Sequence, residues 1–449
     1  MDRFIHVIGI GADGLAGLRP GQLDRIHAAD FLAGGERHLA FFPNAEGERF
    51  VIRNNIEALG RELRQRHPAQ RCVVLASGDP LFFGVAGPLV AQLGPERVRV
   101  EPALSSMQLA FARACLPWQA AALASVHGRP LAPTLLPLLG KLLIGLFTQD
   151  GDGPAAVARF LLERDADCYE GWVGEDLGSA DERVSGWLSL TELKERRFAP
   201  LNYLILCDVG FLLRRPRLRP EFPRGEVLRL RDLVPGVPDE AFARPADGPE
   251  VMTRQEVRAV AVAKLLGGAF AGNTAWDVGG NTAWDVGAGL GTVSVELAVL
   301  RPELEVIAVE RDPARAALLR QNRGRFRAYN IRVIVGEAPD ALAGAAEPPR
   351  YVFLGGSGGR LEAVLDLVAR RLIDGGRLVA AFVTLEHLAL TLERLRTWGW
   401  PVEVTEVAVS RSDALAGLTG LKPQRGVFLV RADKPPADVP RAGGHTDVG

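Results

Sequence analysis

The sequence predicts two consecutive α/β domains joined by an irregular segment, and three observations carry that expectation. Apolar strand-like runs alternate with helical stretches through both halves. A glycine-rich turn follows an early apolar run in each half, and between the halves lies an Arg- and Pro-rich stretch without periodicity. At 449 residues, with 47% hydrophobic and 24% charged residues, the chain has an ordinary globular composition and room for more than one core.

Taken in order, "FIHVIGIG" reads as a strand entering a glycine turn, and "RCVVLAS", "VRVEP" and "KLLIGLF" read as further strands. "GPAAVARFLLERDA" has helical spacing, and "NYLILCDVG" closes a first domain over residues 1–208. Residues 209–233, including "RRPRLRPEFPRG", read as an extended polar joint whose arginines are solvated. The second domain, 234–432, opens with the helix "TRQEVRAVAVAKLL", where Thr253 is placed as an N-cap with Glu256 three residues on. "EVIAVERD", "IRVIVGEAPDAL", "YVFLGGSGG", "GGRLVAAFVTLE" and "GVFLVRA" then continue the strand–helix alternation of a doubly wound sheet. Residues 433–449 are expected to form a disordered tail.

Charge and composition narrow the function classes. A net charge of −1 argues against a nucleic-acid partner. No apolar run approaches the roughly 20 residues of a membrane span, and "MDRFIHVIGIG" lacks a signal-peptide layout, so a cytoplasmic location is expected. The four cysteines are scattered and the seven histidines show no ligand spacing, which favours reduced thiols and no metal site. Of the 53 basic residues only five are lysines. Two readings of that skew stand: a GC-rich genome, or arginine forks suited to a substrate with many carboxylates.

One eight-residue phrase, GNTAWDVG, occurs at 272–279 and again at 280–287. A strand ending in Asp285, then Gly287-Ala288-Gly289-Leu290-Gly291, then a helix, is a nucleotide-type binding turn, because glycines let the backbone approach a ligand that a Cβ would hold off. An acid should close the next strand to hold ribose hydroxyls, and Glu310 stands 23 residues after Gly287, near the spacing of about 20 expected. The Gly-x-Gly-x-Gly form favours S-adenosylmethionine over a dinucleotide. Only the second copy continues into "AGLG", so Thr282 to Gly291 is the expected working strand and loop, with the first copy in the preceding loop. Such an insertion is tolerable, since doubling a surface loop costs only about 0.6 kcal/mol.

These phrases also carry a resemblance. "GVPDEAFARPADGPEVMTRQEVRA", "WDVGAGLGTVSVE", "AVERD", "GEAPDAL", "FLGGSGG" and "GGRLVAAFVTLE" resemble the decarboxylating methyltransferase domain of corrin biosynthesis. "VIGIGADGLAGL", "GGERHLAFFP", "LASGDPLFFG", "PALSSMQLAFARACLPW", "SVHGRPL" and "PLNYLILC" resemble the tetrapyrrole methylases. The resemblance implies a class III methylase of two αβα lobes followed by a Rossmann-like class I methyltransferase, each binding S-adenosylmethionine. It implies methylation of a tetrapyrrole at carbons 5 and 15, with loss of carbon dioxide from the ring C acetate, in a symmetric dimer or tetramer.

Site roles follow from the same resemblance. In the first half, Gly9, Gly11, Gly78, Asp79, Pro80, Ser105, Ser106 and Asn202 would hold the cofactor, and His127, Gly128 and Arg129 would edge the substrate trough. In the second, Thr253, Asp285, Gly287, Ala288, Gly289, Leu290, Gly291, Glu310 and Ala338 would hold the cofactor. Gly355, Gly356, Ser357, Gly358 and Gly359 would border the tetrapyrrole, with Thr384 and Glu386 on the same rim. Three rivals are weighed beside this one: a transfer-RNA methylase, a cobalt-bearing substrate, and a chain whose duplication leaves only the first half active.

Overall fold

The computed structural model describes residues 4–66, 69–210, 235–245, 252–267, 281–345, 347–415 and 418–436. The chain divides into two compact units, one built mainly from residues before Pro223 and the other mainly from Pro223 onward. Most of the expected joint, the whole first copy of the repeated phrase and most of the expected tail lie outside the described residues.

The first unit holds two five-stranded sheets. Strands β1 (Ile5–Ile10), β2 (Phe31–Gly34), β3 (Glu48–Val51), β4 (Cys72–Ser77) and β5 (Val98–Glu101) pair in parallel in the order β3-β2-β4-β1-β5. All six residues of β1 are buried, as expected of a central parallel strand covered on both faces. Strands β6 (Ala122–Ser125), β7 (Leu143–Phe147), β8 (Tyr169–Glu175), β9 (Arg183–Ser189) and β10 (Asn202–Asp208) form a mixed sheet in the order β6-β7-β10-β8-β9. An aromatic chain joins the two sheets: Phe82 and Phe83, just after β4, lie 5.6 and 6.0 Å from Phe147 at the end of β7, and Phe147 lies 4.9 Å from Tyr203.

The second unit is a single seven-stranded sheet with helices on both faces. Its strands are β11 (Thr282–Val286), β12 (Glu305–Glu310), β13 (Ile331–Val335), β14 (Tyr351–Leu354), β15 (Arg377–Phe382) and β16 (Val402–Val407), with β17 (Ser410–Leu415) and β18 (Leu418–Pro423) as a separate hairpin before β19 (Val427–Asp433). The order is β13-β12-β11-β14-β15-β19-β16, parallel except for β19, which is inserted antiparallel between β15 and β16. Every residue of β11 is buried, and its alternation sends Ala283 into the apolar core on one face and Trp284 and Val286 into the core on the other. The fold expectation therefore holds for both halves. No described helix is long and apolar enough to cross a membrane.

One cation organises this unit. Arg258, fully buried on the helix Gln255–Leu266, donates from Nε to Glu296 at 2.5 Å and from Nη1 to Asp239 at 3.1 Å. It also donates to the carbonyls of Thr253 at 2.6 Å and of Val237. Because Arg258 holds its carbonyl, Thr253 sits just outside the helix, and the N-cap is Arg254. The expectation of a Thr253 cap is thereby corrected. Removing one member of a buried charge network leaves the others uncompensated, so Arg258→Ala should destabilise the second unit by about 3–5 kcal/mol. Denaturant unfolding of the full chain measures that loss.

Candidate functional site

In the first unit the glycine turns of β1 and β4 meet the loop after β5. The amide of Gly78 donates to Ile10 at 2.8 Å, and that of Ala103 to Gly78 at 3.1 Å. A Cβ on Gly9 would stand 1.9 Å from the Gly78 oxygen, so the two turns close only on glycine. Asp79 accepts the Leu81 amide at 2.9 Å in a local side-chain turn, with Pro80 following. Ser105 caps the helix Ser106–Arg113 in a reciprocal capping box with Gln108. Gly9, Gly11, Gly78, Asp79, Pro80, Ser105 and Ser106 thus gather at the carboxyl ends of three adjacent parallel strands, where ligands of such sheets bind.

His127, Gly128 and Arg129 follow β6 and are exposed. The Arg129 guanidinium lies 5.4 Å over the Phe83 ring, which brings this turn to the segment after Pro80. Asn202 is placed differently. Both donors of its amide are used, on Asp150 at 2.9 Å and Ala199 at 2.7 Å, and its oxygen accepts from Thr148, so the side chain ties loops together. Sequence reasoning missed His38. Its Nε2 is 3.2 Å from Ser77 Oγ at the end of β4, and burial, followed by the charge of Arg37, lowers its pKa to about 4, leaving it neutral.

The second unit contains a cavity of about 530 Å³ at the carboxyl ends of β11, β12, β13, β14 and β15. Its floor is the predicted loop. Gly287 and Ala288 both donate to Val309 at 3.0 Å, Gly355 and Gly356 donate to Val286 at 2.9 and 3.2 Å, and Gly289 donates to Glu310 at 2.8 Å. Gly287 has φ +71°, and a Cβ there would lie 2.5 Å from the Gly356 oxygen. Glycine there lets the turn pack directly on Gly356, beside Glu310, whose carboxylate also accepts from the Asp312 amide at 3.0 Å. Thr253, Gly287, Ala288, Gly289, Glu310, Ala338, Gly355, Gly356, Ser357 and Gly358 all line this one cavity.

The remaining candidates of this half lie off the wall. Leu290 is buried in the core, and Gly291 starts the helix Thr292–Leu300 at φ +77°. Gly359 lies just past the lining turn. Thr384 and Glu386 are exposed at the start of the helix Leu385–Thr397, beside the lining residue Val383, with Thr384 as its N-cap. Asp285 sits beneath the loop, wholly buried, and accepts from Ser294 at 2.5 Å. Sequence reasoning missed Met252, Val257, Arg311, Arg315, Glu337, Val409, Gln424 and Arg425, which also line the cavity. Arg311 and Glu337 adjoin predicted residues, whereas no local pattern marks Val409, Gln424 or Arg425.

Residues 5–190 match the tetrapyrrole (corrin/porphyrin) methylases, and residues 241–434 match the precorrin methyltransferase domain. A precorrin-6Y C(5,15)-methyltransferase [decarboxylating] from Sinorhizobium sp is 34% identical over 425 residues, covering 94% of each chain. The chain belongs to the precorrin-6Y C5,15-methyltransferase (decarboxylating) family. Two Salmonella typhimurium proteins each match less than half of it at 38% identity. They are a cobalt-precorrin-6B C(15)-methyltransferase (decarboxylating), which matches 44% of this chain and 95% of its own length, and a cobalt-precorrin-7 C(5)-methyltransferase, which matches 45% and 98%. The tetrapyrrole methylase fold and a second precorrin methyltransferase domain, both expected from sequence, are therefore shown for this family member.

Two outcomes follow for the second unit. Gly287→Ala must shift the turn against Gly356 at a cost on the order of 1–3 kcal/mol, which denaturant unfolding of the variant should read as lost stability. Burial, reinforced by Glu310 and opposed by Ser294, raises the Asp285 pKa from its ordinary 3.8 to about 6. The folded protein then holds this proton more tightly than the unfolded chain. The resulting stability is full below the ordinary value and is lost as pH rises through about 6, by about 3 kcal/mol. Asp285→Asn should flatten that slope in unfolding measured between pH 4 and 7.

Proposed function

We propose that this chain transfers methyl groups from S-adenosylmethionine to carbons 5 and 15 of precorrin-6Y and removes the ring C acetate carboxyl as carbon dioxide, giving precorrin-8x. The match along 94% of the chain to a fused relative of that name carries the reading. The two shorter relatives divide the C5 and the decarboxylating C15 activities between separate chains, which supports one activity per unit here. We assign C5 to the first unit and C15 with decarboxylation to the second.

The residues present suit the cofactor. Gly287, Ala288 and Gly289 present a turn with little side chain to the cavity, and the buried carboxylate of Glu310, held by two backbone amides, can still accept ribose hydroxyls. The first unit offers the glycine turns at Gly9 and Gly78 and the Ser105 helix start. The cofactor supplies an activated methyl on a sulfonium, and the meso carbons of a reduced tetrapyrrole are already nucleophilic. The protein's part is then to align the two partners and exclude water, which is worth several kcal/mol through effective molarity.

Decarboxylation asks for a place where the acetate is held and its charge disfavoured. As the carbon–carbon bond breaks, its electron pair passes into the protonated imine of the macrocycle. A proton taken up at the former acetate carbon completes the methyl group. Met252, Val257, Val409 and Val427 contribute apolar surface to the cavity lining, which suits this step.

Purified protein given S-adenosylmethionine and precorrin-6Y should yield a product carrying two added methyls and lacking one carbon dioxide by mass spectrometry, and calorimetry should find two cofactor sites per chain. One added methyl with the carboxyl retained would sink the assignment of the second unit.

A further inference from the structure

We infer that Arg425 docks a side-chain carboxylate of the tetrapyrrole in the cavity of the second unit; the inference rests on the reading of that cavity as the C15 site. The cavity has two unlike sides. One is the glycine cradle with the acid Glu310, and the other is apolar, with Val409 and Val427 flanking Arg425. Arg311 and Arg315 also border the first side, each beside an acid, so the cation left to meet the acidic rim of the substrate stands on the second.

Four arginines line the cavity, and three of them already face acids. Arg311 is 3.6 Å from Glu337, Arg315 is 3.4 Å from Asp312, and Arg254 is 3.9 Å from Asp239. Among the described residues Arg425 has no acidic partner, although its backbone is well fixed. The amide of the preceding Gln424 donates to Val409 at 2.8 Å, and two residues on Val427 pairs with Val407 at the start of β19. A guanidinium set on a rigid turn, beside apolar surface and without an internal acid, can offer two parallel hydrogen bonds to an incoming carboxylate.

The test measures carbon dioxide release by the full-length enzyme against precorrin-6Y concentration, for wild type, Arg425→Ala and Arg425→Lys. S-adenosylhomocysteine affinity is measured beside it. A charge-assisted hydrogen bond lost from Arg425→Ala should raise KM about tenfold or more, while kcat moves less than roughly threefold. Cofactor affinity should be unchanged, and Arg425→Lys should recover part of the loss because it keeps the charge without the fork. Wild-type turnover with the same KM in both variants would overturn the docking role and leave the C15 assignment intact. Wild-type protein that binds cofactor but releases no carbon dioxide would overturn the C15 assignment and the docking role together. If Arg425→Ala loses cofactor binding as well, Arg425→Lys decides: an unchanged KM there overturns the inference, and a raised one upholds it.

Discussion

The buried guanidinium of Arg258 is the constraint on which the second unit depends. It joins the segment around Val237 and Asp239, the helix on which it lies, and Glu296 on the helix that follows the glycine loop. Glu296 in turn accepts the amides of Gly236 and Val237 at 3.0 and 2.9 Å, so no oxygen of the network faces apolar surroundings without a donor. The Phe242 ring covers the guanidinium at 4.9 Å. From Asp239 the network reaches the hairpin, where Arg411 donates to Asp239 at 3.0 Å and to Glu256 at 2.6 Å. Two cavity walls are therefore hung from one charge cluster: Met252 to Val257 on one side, and Val409 to Arg425 on the other. A buried ion pair adds little net stability compared with apolar packing. What this one fixes is position.

That positioning explains why the cavity is divided as it is. The cradle belongs to the parallel core, where β12 and β14 flank β11 and their loops separate at a topological switch point. Apart from the Glu310 carboxylate, the groups that tie it together are backbone amides and carbonyls, which cannot drift with side-chain rotamers. Elements appended to that core, the hairpin and the turn after it, add Val409, Gln424 and Arg425 to the lining. The first unit shares the same logic, with its glycine turns on the all-parallel sheet and Arg129 carried by the second sheet.

The turn that lines the second unit's cavity was legible in the sequence because it is local. Asp285, Gly287, Gly289 and Glu310 are linked by a strand, a turn and one crossover, and their spacing is dictated by that unit. What the sequence did not announce involves distant partners. Thr253 looked like a cap because nothing nearby announces that Arg258 needs its carbonyl. The side-chain amide of Asn202 donates to Asp150 and Ala199, partners that a linear reading cannot pair with it. Asp239 and Arg411 are separated by 172 residues and occupy unremarkable polar stretches. The hairpin β17–β18 carries little apolar alternation and gave no strand signal, so Val409, Gln424 and Arg425 went unseen.

The repeated phrase is resolved by the same local demands. In the second copy, Asp285 lies nine residues before Ser294, its hydroxyl donor, and glycines follow at 287, 289 and 291 with φ of +71°, +59° and +77°. Sliding the chain by eight would preserve strand facing, since the shift is even. It would also place Val286 where the serine hydroxyl is needed, leaving a buried carboxyl without that bond. Asn281 and Ala283 would take the second and third glycine positions, and alanine in the left-handed region is strained. Each replacement is costly by itself, and together they act on one turn. The first copy therefore cannot compete for the strand, although its own eight residues spell the same strand, because what selects the register is the loop that comes after it.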